Sequence, residues 1–286
     1  MDNKPKKWSY IYLVFVFILM YAPIFYLIFY SFNKGDYMNA VEQENLAKTI
    51  VEVLSLRHYG DMFADTRLME ILVNTFIVAL LSSVIATLIG TFGALGVYNT
   101  KRRGTKNLLL SLNNVLMVSP DVIIGASFLI FFTMIGMSLG FGSVVLSHIA
   151  FSIPIVVLMV LPRLNEMNPA LIDAARDLGA SNYQVLSRVV LPYAWPGILA
   201  GFFMAITYSL DDFAVTFFVT GNGFSTLSVE IYSRARQGID LSINALSALM
   251  FLLSLLLVTI YYFISNYSMK SSKKKRGGAA GMVVHQ

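Results

Sequence analysis

"DAARDLGASNYQVLSRVVLP", residues 173–192, is a charged, capped and amphipathic stretch that looks like a piece of soluble protein. Long apolar runs flank it on both sides, in a chain of 286 residues that is 57% hydrophobic and only 13% charged. Soluble domains carry about 25% charged residues. Half that value, with a mean hydropathy of +0.68, places the protein in lipid. The stretch is thus a soluble-looking unit between two membrane spans, and its purpose decides what the chain is.

Its local structure follows from the residues. In "NPALIDAARDLG" Asn168 is a good N-cap, and Pro169 fits a first helical position. Leu171, Ala174, Ala175 and Leu178 fall at i, i+3, i+4 and i+7 and make one apolar face, with Asp173, Arg176 and Asp177 off it. Gly179 suits a left-handed turn. Ser181 caps a second helix, Gln184 completes a capping box, and Pro192 is expected to end it. The unit is a helical hairpin over 168–190, whose first helix is about 15 Å long. So short a helix is marginal alone in water, and its apolar face needs a cover. That cover is either the ends of the chain's own spans or a partner's groove; physics alone leaves both open.

Six apolar runs are each long enough for a bilayer, which needs roughly 20 residues. They lie near 9–32, 70–98, 107–136, 142–162, 193–219 and 243–267. The first follows Lys4, Lys6 and Lys7 as in a signal peptide. It is too long for one, and no small-residue cleavage site follows, so it is expected to stay as an uncleaved span. Trp8, Tyr10 and Tyr12 are expected at the headgroup level. The divisions expected are a first span over 1–32, an outer loop over 33–69, a membrane domain over 70–267, and a basic tail over 268–286. In the loop, "SLRHYGDMFADTRLMEIL" has helical spacing; a short helix on the outer face and a solvated loop have equal weight.

The charges orient these spans. Of 21 Lys and Arg, 15 fall in the N-terminus, the 99–106 loop, the 163–192 segment and the tail. Lys34, Lys48, Arg57, Arg67, Arg234 and Arg236 fall on the other face, as do nine of the 16 acids. The positive-inside rule puts both termini in the cytoplasm. The net charge of +5 is therefore a topology signal, and nucleic acid is not an expected partner. The chain has no cysteine, so disulfides and thiolate metal sites are excluded.

Three acids lie inside spans: Asp121, Asp211 and Asp212. A carboxylate near the bilayer centre costs roughly 2.5–3.5 kcal/mol on insertion scales, so such residues face a bundle interior or a wet path. Pro120, in "MVSPDVIIGAS", should break the local helix where protein or a cavity covers the freed carbonyls. Asp211 and Asp212 sit in "YSLDDFAVTFFVTG" and cannot point the same way unless the helix unwinds there. No Lys, Arg or mid-span His offers an obvious partner, and His148 is placed near the outer end of its span. Three uncompensated acids suggest a cationic substrate, with Tyr208 adding cation–π contact. The alternative is that the acids cap broken helices or pair with a partner subunit. A metal ion in an all-oxygen site needs more ligands than these.

The 173–192 stretch resembles the EAA motif of ABC importer permeases: Glu-Ala-Ala, three residues, Gly, nine residues, Ile, one residue, Leu-Pro. Ala174, Ala175, Gly179, Leu191 and Pro192 match at the right spacing, with Asp173 for Glu and Val189 for Ile. The resemblance covers about 70 to 265. It implies a type I ABC importer permease fold: all-α, six transmembrane helices, and a coupling-helix hairpin. "MVSPDVIIGASFLIFF", "SLDDFAVTFFVTG" and "AARDLGAS" are similar to the PotC-type permeases of spermidine/putrescine importers. That branch implies polyamine import across a bacterial cytoplasmic membrane. It also implies a second, PotB-type permease, a PotA-type ATPase dimer in the cytoplasm, and a PotD-type polyamine-binding protein outside.

The resemblance assigns Asp173, Ala174, Ala175, Leu178 and Gly179 to ATPase coupling. It leaves Asp121, Tyr208, Asp211 and Asp212 as substrate-path candidates. The longer first outer loop departs from the pattern. No Gly-Lys dipeptide occurs, hence no phosphate-binding loop; ATP and Mg are expected on the partner ATPase, and this chain is not expected to be an enzyme. The rivals are a permease for another organic cation or a metal complex, and an ion-coupled secondary transporter. No internal repeat supports the latter, which has no need of the hairpin. Gly136-x-x-x-Gly140, Gly197-x-x-x-Gly201 and the Ala86, Gly90, Ala94 series are read as span packing.

Overall fold

The computed structural model describes residues 7–32, 55–237, 244–260 and 262. Residues 33–54 of the first loop, Asp240, the 268–286 tail and the side chain of Trp8 lie outside them. Among the described residues the chain is helical, with no strand. In chain order the helices are α1 (Lys7–Tyr30), α2 (Arg57–Ala64), α3 (Thr66–Asn99), α4 (Arg103–Val118) and α5 (Asp121–Met134). There follow α6 (Phe141–Asn165), α7 (Ala170–Asp177), α8 (Asn182–Val185), α9 (Leu191–Asp211), α10 (Ala214–Val219) and α11 (Leu227–Gln237), then α12 (Asn244–Ile260).

Among the described residues four helices are long and apolar enough to cross a membrane: Tyr10–Phe29, Thr66–Asn99, Phe141–Asn165 and Asn182–Asp211. The expected span at 107–136 is instead the pair α4 and α5, bent by 102°. The bend falls at Ser119 and Pro120, both extended, because proline lacks the N–H that would continue the ladder. The run at 193–219 also divides, since Asp212 is extended between α9 and α10. The sixth run is described as α12 only, shorter than the other spans.

The chain forms two compact units. The first comprises Met1–Glu70 and Glu230–Leu255. Within it α2 takes up the helical spacing of "SLRHYGDMFA", and Tyr59 of α2 hydrogen-bonds Ser31 after α1 at 2.8 Å. Asp65 caps α3 by accepting from the N–H of Arg67 and of Leu68. Arg234 of α11 donates to Asp65 at 3.0 Å and to Glu230 at 2.8 Å. Burial alone raises the Asp65 carboxyl, but the Arg234 bond and charge and the two capping N–H groups outweigh it and hold it below its usual range. A carboxylate held low contributes stability above its unfolded value, and that stability is lost as pH falls through the folded value. The protection of the Arg67 and Leu68 amides against hydrogen exchange, relative to their intrinsic rates, should fall on acidification through that range. Asp65→Ala should remove this pH dependence and speed exchange about fivefold at neutral pH, as for a lost cap of about 1 kcal/mol. Equal exchange in the two proteins would mean the cap adds nothing.

The second unit comprises Ile71–Val229 and Leu256–Gln286. Its largest cluster joins Ala94, Leu95 and Val97 of α3 to Val156, Val157, Val160, Leu161 and Leu164 of α6 and Ala194 of α9. Close approach makes this possible. A methyl on Gly90 would meet the Val156 side chain at 2.7 Å, and one on Gly201 would meet Val156 at 3.2 Å. One on Gly197 would meet the Met159 carbonyl at 2.8 Å. Gly197 and Gly201 therefore seat α9 on α6, as the span-packing expectation has it. Gly136 and Gly140 do not pack helices. They lie in the connection between α5 and α6 with φ of 71° and 148°, where a side chain is strained.

Candidate functional site: a capped hairpin and two facing helix breaks

The hairpin forms with its caps in place. Asn168 Oδ1 accepts from the Ala170 N–H at 3.0 Å, so Asn168 caps although α7 begins after Pro169. Gly179 has φ +81°. Around it the Gly179 N–H bonds the Arg176 carbonyl at 2.8 Å and the Ala180 N–H the Ala175 carbonyl at 3.0 Å. These close the last turn of α7. Ser181 and Gln184 exchange both capping-box bonds.

Two expectations need correction. Pro192 does not end the second helix. Leu186–Val190 form a π turn in which the Leu191 N–H bonds the Leu186 carbonyl, and α9 starts there with Pro192 in its first turn. Proline is tolerated where a helical N–H is already displaced, so α8, the π turn and α9 make one helix of 30 residues. The inward face of α7 also differs. Ile172, Ala175 and Ala180 pack on the large cluster. Leu171, Asp173 and Ala174 are exposed, and Leu178 is 89% exposed. Tyr183 is exposed beside them. The hairpin thus covers one face with its own protein and leaves a second apolar face open.

The two helix breaks face each other. α5 and α10 each follow a break, and they meet at Gly125. A methyl there would lie 2.7 Å from Phe218 and 3.1 Å from the Ala214 carbonyl. Across the breaks, Tyr208 Oη of α9 donates to Asp121 Oδ1 of α5 at 3.1 Å. Asp211 lies three residues after Tyr208, on the same side of α9. Asp121, Tyr208 and Asp211 are exposed, so the structure brings these three candidates together on an open surface.

Asp212 is different. Its side chain is 7% exposed. Oδ1 accepts from the Val215 N–H at 3.2 Å, and Oδ2 from the Thr216 N–H at 2.8 Å and Thr216 Oγ1 at 2.7 Å. It caps α10. These three donors satisfy the carboxylate, and His148, whose Nε2 stands 3.5 Å from Oδ2, sits beside the break rather than apart from it. Ser209 and Thr216 were not foreseen from the sequence, and His148 was placed too far from the break. The one local signal was Asp212 followed four residues on by Thr216, ahead of an apolar run.

The family model described as binding-protein-dependent transport system inner membrane component matches residues 86–273, which include the hairpin and both breaks. The chain belongs to this family. Members of the family among its relatives are permease proteins. The chain is 32% identical to the spermidine/putrescine transport system permease protein PotC of Haemophilus influenzae, covering 85% of this chain and 90% of that one. To PotC of Escherichia coli K12 it is 33% identical, covering 85% and 88%. To the putrescine transport system permease protein PotI of the same strain it is 30% identical, covering 87% and 89%. Solved structures share the family's fold. A bacterial ABC transporter that imports the acidic polysaccharide alginate aligns with TM-score 0.67 at 16% identity, over 92% of this chain and 94% of that one. The inward-facing MetNI methionine ABC transporter aligns with TM-score 0.61 at 20% identity, over 71% and 99%. This family member is therefore a multi-pass membrane protein and a permease subunit of an ABC importer. A polysaccharide and an amino acid on one fold show that the fold does not set the substrate.

Proposed function

We propose that the chain is the permease subunit of an ATP-driven polyamine importer for spermidine or putrescine. The observation that carries this is the joining of Asp121, Tyr208 and Asp211 where two broken helices meet. Two exposed carboxylates and an aromatic ring there suit an organic polycation. The names of the PotC and PotI relatives support the same substrate class.

In this proposal both termini are cytoplasmic, and the hairpin at 168–190 docks on a PotA-type ATPase dimer. The open face of Leu171, Ala174 and Leu178 supports that docking, with Asp173 and Ala175 in the same helix and Gly179 shaping its turn. ATP and Mg bind the ATPase. A PotB-type permease completes the path, and a PotD-type binding protein delivers substrate from outside. The membrane domain runs over 70–267, between the outer loop and the basic tail. Closure of the ATPases moves the hairpin, and the 30-residue helix carries that motion to Tyr208 and Asp211.

The test is uptake of labelled spermidine and putrescine by a host without its own polyamine importers, expressing this chain with its operon neighbours. Uptake that requires both this chain and ATP is expected. No uptake by a complex shown to assemble would discard the polyamine substrate.

A further inference from the structure

His148 lies on α6, a helix that does not break, and is 1% exposed. Its ring reaches both sides of the break after α9. Nδ1 is 2.6 Å from Ser209 Oγ, before the break, and Nε2 is 2.8 Å from Thr216 Oγ1, after it. The proton count fixes the roles. Thr216 Oγ1 has one hydrogen, and it goes to Asp212 Oδ2 at 2.7 Å. Toward the ring that oxygen can only accept, so Nε2 carries a proton and donates to Thr216. Donors therefore run from His148 to Thr216 and from Thr216 to Asp212. Ser209 Oγ also lies 3.4 Å from Ser82 Oγ of α3. The imidazole faces Phe151 at 4.8 Å, and Phe151 stands edge-on to the Tyr208 ring at 5.0 Å.

We infer that His148 is a positioning residue: it brackets the break from an unbroken helix and so fixes where Tyr208 and Asp211 stand relative to α10 and α5. An extended residue between two helices leaves their relative direction to whatever bridges them. The Asp212 carboxylate binds forward, to the N–H groups and hydroxyl of α10, and the Asp212 carbonyl accepts from Ser228 Oγ of α11 at 2.6 Å. His148 ties the end of α9 to the start of α10. This inference rests on the proposal that Tyr208 and Asp211 line the substrate path.

The test has a transport arm and an arm independent of substrate. In uptake by the assembled complex, His148→Ala should raise the half-saturation concentration about tenfold, as for a lost buried hydrogen bond, with the maximal rate nearly kept. His148→Gln, whose amide can donate to Thr216, should recover most of it. His148→Phe, which fills the ring volume without polar atoms, should not. The second arm uses the absence of native cysteine. A cysteine at 211 (Asp211→Cys) is titrated with a small cationic thiol reagent in the full complex. Its rate should change severalfold with His148→Ala, while a cysteine at exposed Lys101, in the connection between α3 and α4 and outside the spans, keeps its rate. An unchanged rate at 211, or wild-type behaviour of His148→Phe, would overturn the positioning role. A changed rate in a complex that carries no polyamine would keep that role and remove the substrate instead.

Discussion

Asparagine at both 121 and 211 should reduce polyamine uptake about a hundredfold or more, while the complex still assembles. Both carboxylates are exposed in the structure, so neither holds the fold through buried bonds. A polyamine entering the path would pair its ammonium groups with them away from bulk water. Removing one partner of a desolvated charge pair costs about 2–5 kcal/mol, and two such losses leave little transport. Asp212→Asn should behave differently. Asp212 accepts three hydrogen bonds from Val215 and Thr216 while almost fully buried. An amide has one acceptor oxygen, and its NH2 would face a donor. The expected result is a lower yield of folded complex and a lower melting temperature, in place of a selective loss of substrate affinity. Uptake measured beside size-exclusion yield separates the two. Wild-type uptake by the double variant would remove both carboxylates from the path.

Gly179→Val should uncouple ATP hydrolysis from transport. Gly179 has φ +81°, and nothing lies within 4 Å of where its Cβ would be. The substitution therefore acts through the backbone alone, with no collision. A left-handed conformation costs a side-chain-bearing residue about 1–2 kcal/mol, and a β-branched one at the upper end. The cheapest relief is to open the turn that closes α7 and to shift Leu171 and Leu178 out of register with their partner. A docking loss of about 1.4 kcal/mol is tenfold in affinity. The ratio of ATP hydrolysed to polyamine transported should rise about tenfold, and Gly179→Asn should stay near wild type because asparagine tolerates this region. Normal coupling in Gly179→Val would show that the turn's shape does not matter.

The hairpin was legible in the sequence because each of its determinants is local. Asn168, Gly179, Ser181 and Gln184 act on amides within a few residues, and all four do so in the structure. The first break was legible for the same reason, since Pro120 removes its own N–H. The second was half legible. Adjacent acids implied unwinding, and Asp212 is indeed extended, but its burial was not foreseen. Burial depends on His148, which meets Asp212 only because α6 packs beside α9 and α10. No periodicity within one helix reports such a meeting. Pro192 misled because a proline reads as a stop unless the preceding turn has widened. The Gly136 and Gly140 pair misled because spacing alone does not distinguish a close crossing from two residues with positive φ.

The π turn at Leu186–Val190 sets an angular phase between the hairpin and the breaks. Such a turn holds one residue more than the α-helical ladder around it. Each residue of an α-helix advances its direction by about 100°. Losing a residue from the α-helical part between Leu191 and Tyr208 would turn Tyr208 and Asp211 by roughly a quarter of a circle or more relative to Gly179, whereas losing one from the π turn would let it close to an ordinary turn with that phase nearly kept. In the first case motion of the hairpin would reach the wrong side of the helix. Length between residues 191 and 208 is thus a functional quantity in its own right, comparable to the pitch of a screw.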